Sequence, residues 1–273
     1  MKKRFTFERL ASAPHVLWSA IFIVAPLLFV AYFAFTDRNG SFTTDNILSL
    51  GSYSHTFVMS LGFSLIATTV CFLIGYPLAY CMARTSERTR SILMVLMMLP
   101  MWISLLIRTY SLMALLDNGG LVSTFLTRLG FEKLTFIGTE GAVLLGMVYD
   151  FLPYMVLPIY TSMTKLDGRY LEAAADLGCN NRKTLFKVIL PLTMPGIVSG
   201  VTMVFVPSIS TFYISQKLGG GSFDLIGDTI ERQFQNAITY HTGAAISLIM
   251  MILILISLAV MNKFSDSGED IIV

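Results

Sequence analysis

The chain has 273 residues, of which 55% are hydrophobic and 13% are charged, and its formal net charge is +2. Soluble domains carry about a quarter charged residues, so this composition excludes an ordinary soluble protein. The net charge is too small, and the basic residues too scattered, to favour a nucleic-acid partner. Three cysteines cannot all pair, and no His-x-x-x-His or Cys-x-x-Cys spacing indicates a metal site.

Six apolar segments are each long enough to form a membrane-spanning helix, which takes about 20 residues. A spanning segment must satisfy its backbone hydrogen bonds internally, so these segments are predicted to be helices and not strands. Prolines inside the segments predict kinks or breaks. The predicted segments are 15–36, 56–83, 91–116, 140–163, 192–215 and 242–262, and the prolines are Pro26, Pro77, Pro100, Pro153, Pro158, Pro195 and Pro207.

Basic residues predict the orientation of these six helices. The N-terminus 1–14, the loop 84–90 and the loop 164–191 hold 12 of the 19 Lys and Arg residues, and Lys263 directly precedes the tail 264–273. Basic loops stay on the cytoplasmic side of a membrane. We therefore expect both termini and the 164–191 loop in the cytoplasm, with a six-helix transmembrane domain over residues 15–263.

The 164–191 loop carries the signals of two helices joined by a tight turn. Asp167 can cap a helix over Gly168–Leu177, and Gly178 suits a left-handed turn. Asn180 can cap a second helix, which is predicted to stop at Pro191.

The first of these helices has a small and mostly apolar face. A surface of this kind could enter a groove in a partner protein. The face is formed by Tyr170, Leu171, Ala174 and Leu177, with Glu172 and Asp176 at its rim.

This loop resembles the EAA loop of bacterial ABC importer permeases. That pattern is Glu-Ala-Ala, three residues, Gly, nine residues, then an aliphatic residue, any residue, Leu and Pro; it is matched by Glu172, Ala173, Ala174, Gly178, Val188, Leu190 and Pro191. The resemblance implies the type I, MetI-like permease fold, with the loop as a coupling helix that docks into a separate ATP-hydrolysing subunit. It assigns that coupling to Glu172, Ala173, Ala174, Asp176, Leu177 and Gly178.

Further motifs between about residues 56 and 262 resemble one of the two permease types found in spermidine/putrescine importers. They lie at 100–102, 106–110, 152–160, 190–197 and 212–215. The resemblance implies a bacterial inner-membrane importer with three kinds of partner. These are a second related permease subunit, a dimer of ATP-binding subunits and an extracytoplasmic polyamine-binding protein.

The chain itself is expected to bind no cofactor and to have no enzymatic activity. Its glycine-rich stretch at 219–222 is not followed by the Gly-Lys-Ser/Thr of a phosphate-binding loop. ATP and Mg²⁺ are therefore expected at the partner ATPase. Besides its protein partners, the chain is expected to contact membrane lipid and no nucleic acid.

Two charged residues lie inside the predicted membrane segments, where charge is costly. Arg108 and Asp150 are at matching depths, roughly 12–15 Å from the outer face at 1.5 Å per helical residue. One interpretation is a structural ion pair between the third and fourth helices. The other makes Asp150 a pore-lining carboxylate for a cationic substrate, with nearby aromatic faces for cation–π contact. The aromatic candidates are Trp102, Tyr110, Tyr149 and Tyr154.

Three other functions remain open from the sequence. The chain could be an ABC importer permease for another small solute. It could be a proton- or ion-coupled secondary transporter that uses Asp150, or a membrane scaffold that docks a partner. The secondary transporter leaves the spacing from Glu172 to Pro191 unexplained.

Overall fold

The computed structural model describes residues 14–130 and 135–269. Within those residues the structure is helical, and the β pairing there is limited to an isolated bridge between Thr36 and Phe42. The predicted all-α class is therefore confirmed. The basic residues at the beginning of the chain and residues 270–273 lie outside the described residues, and the orientation of the chain in the membrane stays a prediction.

The helices are named in chain order. Short helical turns over Asp45–Leu48 and Ser49–Tyr53 precede the second long helix. The named helices are α1 (Pro14–Ala34), α2 (Ser54–Arg84), α3 (Glu87–Trp102), α4 (Leu105–Leu116), α5 (Leu121–Arg128), α6 (Glu140–Thr164), α7 (Gly168–Asp176), α8 (Asn181–Leu192), α9 (Met194–Ser210), α10 (Tyr213–Leu218), α11 (Ile226–Gln235) and α12 (Tyr240–Glu269).

The lengths of these helices agree with six membrane crossings. In the described part of the chain, α1, α6, α12 and the helical stretch that contains α2 are each long and apolar enough to cross a membrane. Helix α3 and the stretch Leu105–Phe125, which contains α4 and the beginning of α5, meet the same test together, with a bend of 96°, and so do α8 and α9, with a bend of 68°. If each bent pair is one span, the spans correspond to the six predicted segments.

Both bends occur beside prolines that the sequence marks as kinks or breaks. Pro100 lacks an N–H and crowds the carbonyl four residues earlier, and α3 ends two residues after it. Ile103 and Ser104 are extended, with ψ of 136° and 138°, and α4 then begins in a new direction. The second bend is at Thr193, and Pro195 lies in the first turn of α9, where its missing N–H costs nothing. The predicted segment 91–116 is therefore two helices.

Two widened, π-helical turns also precede prolines. One covers Ala20–Val24 before Pro26, and the other covers Leu185–Ile189 before Pro191. A wider turn gives room to the carbonyl that the proline ring would otherwise crowd, so the helix continues past the proline. The second helix of the 164–191 loop was predicted to stop at Pro191. The wider turn explains why it continues one residue further, to Leu192.

The central helix of the larger packed region is α6, and glycines let its neighbours approach it closely. A methyl group placed on Gly200 of α9 would lie 2.9 Å from the carbonyl oxygen of Met155. One placed on Gly75 of α2 would lie 3.1 Å from the Met155 side chain. Both glycines are buried, so side chains there would push α9 or α2 away from α6.

The contacts divide the chain into two compact units. One unit contains the residues up to His55 together with Thr229–Leu253, and the other contains Thr56–Asp228 together with Ile254–Val273. In the first unit the Phe33 ring packs edge-on against Tyr240 at 5.2 Å between centroids. The second unit contains α3 to α10 and every residue that the sequence analysis assigned to a site.

Candidate coupling surface and intramembrane ion pair

Local hydrogen bonds shape the hairpin formed by α7, the following turn and α8, which we call the EAA hairpin (168–192). The Asp167 carboxylate accepts a hydrogen bond from the backbone N–H of Arg169 at 3.0 Å and caps α7. The Asn180 side-chain oxygen accepts one from Lys183 N–H at 2.9 Å and caps α8. Between the helices Gly178 has φ of +75°, a conformation that favours glycine. Both caps and the left-handed glycine were predicted, and the structure confirms them.

The end of α7 is closed by a double backbone bond around Gly178. Gly178 N–H donates to the carbonyl of Ala175, and Cys179 N–H donates to that of Ala174, both at 2.9 Å. These bonds satisfy carbonyls that would otherwise lack partners at the helix end. The turn is therefore a compact element that can transmit force between two helices.

Most of the predicted coupling residues are exposed on this hairpin. Glu172, Ala173, Asp176, Leu177 and Gly178 are exposed. Leu177 is 85% exposed, so it is available to a partner.

The apolar face predicted for α7 is not wholly free. Ala174 is buried at 4% exposure and Leu171 is half-buried, so these two residues pack within the chain. The prediction that Ala174 belongs to the free docking face is therefore wrong in this structure. Tyr170 and Leu177 of the predicted face are exposed, and Phe186 is a third large hydrophobic residue exposed on the hairpin, which was missed because it lies on α8.

Arg108 and Asp150 are brought together by α4 and α6. The guanidinium Nη1 lies 3.0 Å from the carboxylate Oδ1 of Asp150, and both side chains are almost fully buried. The same Nη1 donates to the backbone carbonyl of Asp150 at 3.3 Å. Neither carboxylate oxygen receives a well-aligned hydrogen bond, so the contact with Oδ1 is mainly electrostatic. The charge of Asp150 is thus balanced inside this chain.

The aromatic candidates do not form one cluster around Asp150. The Tyr110 ring packs against Tyr213 at 6.0 Å between centroids, and the Lys217 ammonium lies 5.3 Å from its centre. The face of Tyr110 that was predicted for a substrate cation therefore already holds a cation of this chain. This role of Lys217 was missed, because the separation of 107 residues gives no local signal.

The other three aromatic candidates have separate surroundings. Trp102, at the end of α3, is 76% exposed, and Tyr149 is 44% exposed. Tyr154 is half-buried and packs against Phe151 at 6.5 Å between ring centroids.

An open groove runs along α6 and α9 towards the EAA hairpin. Its volume is about 860 Å³. Tyr154 and Met101 line one part, and Lys165, Asp167 and Tyr170 line the part beside α7. Sequence reasoning did not find this groove, although Gly196, Ser199 and Met203 recur along one face of α9. Among the described residues, no group of three or more His, Cys, Asp or Glu side chains could hold a metal ion.

Comparisons with known proteins agree with this architecture. Residues 72–269 match the family described as "Binding-protein-dependent transport system inner membrane component". The "Spermidine/putrescine transport system permease protein PotB" of Haemophilus influenzae is 37% identical over 257 residues, which are 90% of each chain. Its Escherichia coli K12 counterpart is 38% identical over 245 residues, which cover 86% of this chain and 89% of that protein.

A solved structure shares the fold at low sequence identity. It is described as a bacterial alginate ABC transporter in complex with an alginate pentasaccharide-bound periplasmic protein. One of its chains superposes with a TM-score of 0.77 at 17% identity, covering 96% of this chain and 95% of that chain. At that identity the likeness concerns the fold alone.

Proposed function

The chain belongs to the family of binding-protein-dependent transport system inner membrane components, and we propose that it is the polyamine-conducting permease subunit of an ATP-driven importer. The observation that carries the substrate class is the identity of 37% over 90% of both chains with a spermidine/putrescine permease. The match extends through the membrane helices and the EAA hairpin, so it is not confined to a coupling motif shared by importers of many solutes.

The proposal includes three kinds of partner. A second related permease completes the transmembrane pathway, and an extracytoplasmic protein delivers spermidine or putrescine to it. A dimer of ATP-binding subunits supplies the energy, with ATP and Mg²⁺ bound there and no cofactor bound by this chain. A cytoplasmic ATPase would bind a surface that includes the exposed Leu177, Asp176 and Glu172.

Coupling through the EAA hairpin follows from its rigidity. Closing of the ATPase dimer would displace the hairpin, and the capped helices and the bonded turn would carry that displacement as one body. The displacement would reach α9 at the bend beside Thr193 and would reach α6 through the short connection after Thr164. Movement of α6 and α9 would then change access to the membrane pathway.

We assign Arg108 and Asp150 to holding α4 against α6. Asp150 is 1% exposed and already faces a guanidinium, so a passing ammonium would have to displace Arg108 in order to reach it. The aromatic candidates Trp102 and Tyr149 remain proposals for the pathway, because each offers an exposed ring to a cation or to a partner protein.

ATP hydrolysis by the reconstituted complex tests this function. We expect spermidine-loaded binding protein to stimulate hydrolysis in the parent, and Gly178→Pro and Glu172→Lys to lose the stimulation with all subunits still present. Glu87→Lys is the matched control, because Glu87 is exposed in the first turn of α3, outside the hairpin. Unchanged stimulation in both hairpin variants would remove the hairpin from the mechanism. If a binding protein loaded with another solute stimulated hydrolysis and the spermidine-loaded protein did not, the chain would still be an importer permease, but its substrate would not be spermidine.

A further inference from the structure

A small cavity lies where α2 and α6 end beside the EAA hairpin. Its volume is about 270 Å³, below the range of about 300–1,000 Å³ that is typical of sites for whole drug-sized ligands. Arg84 and Arg90 supply its charged groups, and Leu171 of α7 forms part of its wall. Thr164 also lines the cavity and, like Arg84, is exposed, so the cavity reaches the surface at this edge.

Both arginines are held in place without a carboxylate. Nη2 of Arg90 donates to the carbonyl oxygens of Ala83 at 3.1 Å and Thr85 at 3.4 Å, while its buried Nε has no acceptor. The guanidinium carbon of Arg84 lies 4.6 Å from the centre of the Tyr80 ring. No acidic residue lines the cavity, and no ion pair involves either arginine within the described part of the chain. Two fixed positive charges therefore share one cavity without a counter-charge.

The position of the cavity indicates which anion would supply that counter-charge. The helices α2 and α6, both long and apolar enough to cross a membrane, end at Arg84 and Thr164, and the ends of spanning helices lie near the lipid headgroups. Basic pockets between such helix ends bind acidic lipid headgroups, and guanidinium groups match the geometry of a phosphate. Met163, Leu166 and Ile189 add apolar groups to the wall, and Thr164 adds a hydroxyl group that could donate to a phosphate oxygen.

We propose that this cavity binds the phosphate group of an anionic membrane lipid. The bound headgroup would bridge Arg84 at the end of α2 and Arg90 of α3, with Leu171 of the hairpin against it. It would thus brace the EAA hairpin against the helices that the hairpin is proposed to move. The proposal rests on the proposed function in placing this edge on the cytoplasmic side and in the bracing of the hairpin, whereas lipid binding itself does not depend on the substrate.

Native mass spectrometry of the detergent-purified chain tests the site directly. Short-chain phosphatidylglycerol is titrated against the parent, Arg84→Gln, Arg90→Gln and the control Arg88→Gln. Arg88 is exposed on the same segment and does not line the cavity, so its variant loses the same charge without changing the site. We expect the dissociation constant to rise about fivefold in Arg84→Gln and Arg90→Gln, and to stay within twofold of the parent in Arg88→Gln.

Two further arms make the outcome decisive. Arg90→Gln removes side-chain hydrogen bonds to backbone carbonyls, whereas the Arg84 side chain packs on the Tyr80 ring. Arg84→Gln therefore remains informative if Arg90→Gln misfolds. Inorganic phosphate at millimolar concentration identifies the source: displacement of the lipid by phosphate alone would assign the site to free phosphate. If Arg84→Gln bound the lipid as tightly as the parent, the proposal would be overturned. If all three variants lost the same affinity, the binding would be due to general surface charge and not to this cavity. The readout needs no transport, so a wrong polyamine assignment would leave it unchanged.

Discussion

Arg108 and Asp150 form a buried ion pair, and its effect on stability can be separated from any role in the transport pathway. Each charge lies within a membrane span and each is buried, so each needs the other. Loss of one partner leaves an uncompensated charge, whereas loss of both leaves an apolar contact. This difference separates the two interpretations that the sequence left open.

We expect Asp150→Asn to lower the free energy of unfolding by about 3–5 kcal/mol, because the Arg108 charge then stays buried alone. Arg108→Leu/Asp150→Leu should recover most of this loss. Thermal denaturation in detergent measures stability, and spermidine uptake measures function. Asp117→Asn, an exposed acid at the end of α4, is the control. If the double variant is stable and transports spermidine, the pair has a structural role only. If it is stable but inactive, Asp150 takes part in the substrate pathway.

At the scale of elements, the EAA hairpin depends on one backbone conformation. Gly178 has φ of +75°, and no neighbouring atom would contact an added methyl group there. An alanine at this position would therefore be unfavourable through its backbone conformation alone, by about 1–2 kcal/mol.

Gly178→Ala should accordingly speed amide hydrogen exchange in the α7–α8 turn by about fivefold, the factor that corresponds to 1 kcal/mol. Gly168→Ala is the matched control, because Gly168 also has open space around it but no positive φ. Exchange should be read at Gly178 N–H and Cys179 N–H, which close the helix end. Equal exchange in the two variants would show that the turn tolerates alanine.

Packing of α9 on α6 depends on space and not on conformation. A side chain at Gly200 would meet the Met155 carbonyl oxygen at 2.9 Å and its Sδ at 3.0 Å, and backbone cannot move aside as a flexible side chain can. We expect Gly200→Val to cost about 1–3 kcal/mol or more, as overpacking does, measured as a lower midpoint of thermal unfolding. Gly62→Val on α2, where an added Cβ has no neighbour within 4 Å, should change the midpoint much less.

The sequence predicted those elements whose causes are local. Asp167, Gly178 and Asn180 each act on residues close to them in the chain, so the hairpin could be predicted from its caps and its glycine. Its end was predicted at Pro191 and lies one residue later, at Leu192, because the widened turn before the proline relieves the clash. The burial of Ala174 could not be predicted either, since it depends on packing within the folded chain.

At the scale of the whole molecule, hydrophobic length predicted the number of spans better than it predicted their form. Apolar composition reports that a segment lies in the membrane, and it does not report the direction of its backbone. Pro100 therefore predicted a bend in this segment, but it did not predict the two extended residues that separate α3 from α4. The contact between Lys217 and Tyr110 and the groove along α6 and α9 join residues that are distant in the chain, and a periodic pattern within one helix does not identify the helix that it faces.

The orientation of the chain in the membrane is still a prediction from its basic loops, and labelling can test it. In a variant without native cysteines, Ser41→Cys should react with an impermeant maleimide in intact spheroplasts, because Ser41 is an exposed residue of the predicted outer loop. Leu177→Cys should react only in inverted vesicles, since Leu177 is 85% exposed on the EAA hairpin. The cysteine-free parent controls for background. Labelling of Leu177→Cys in spheroplasts would reverse the orientation and place the hairpin beyond reach of a cytoplasmic ATPase. Protection of the same cysteine when the ATP-binding subunits are present would locate their docking surface at this end of α7.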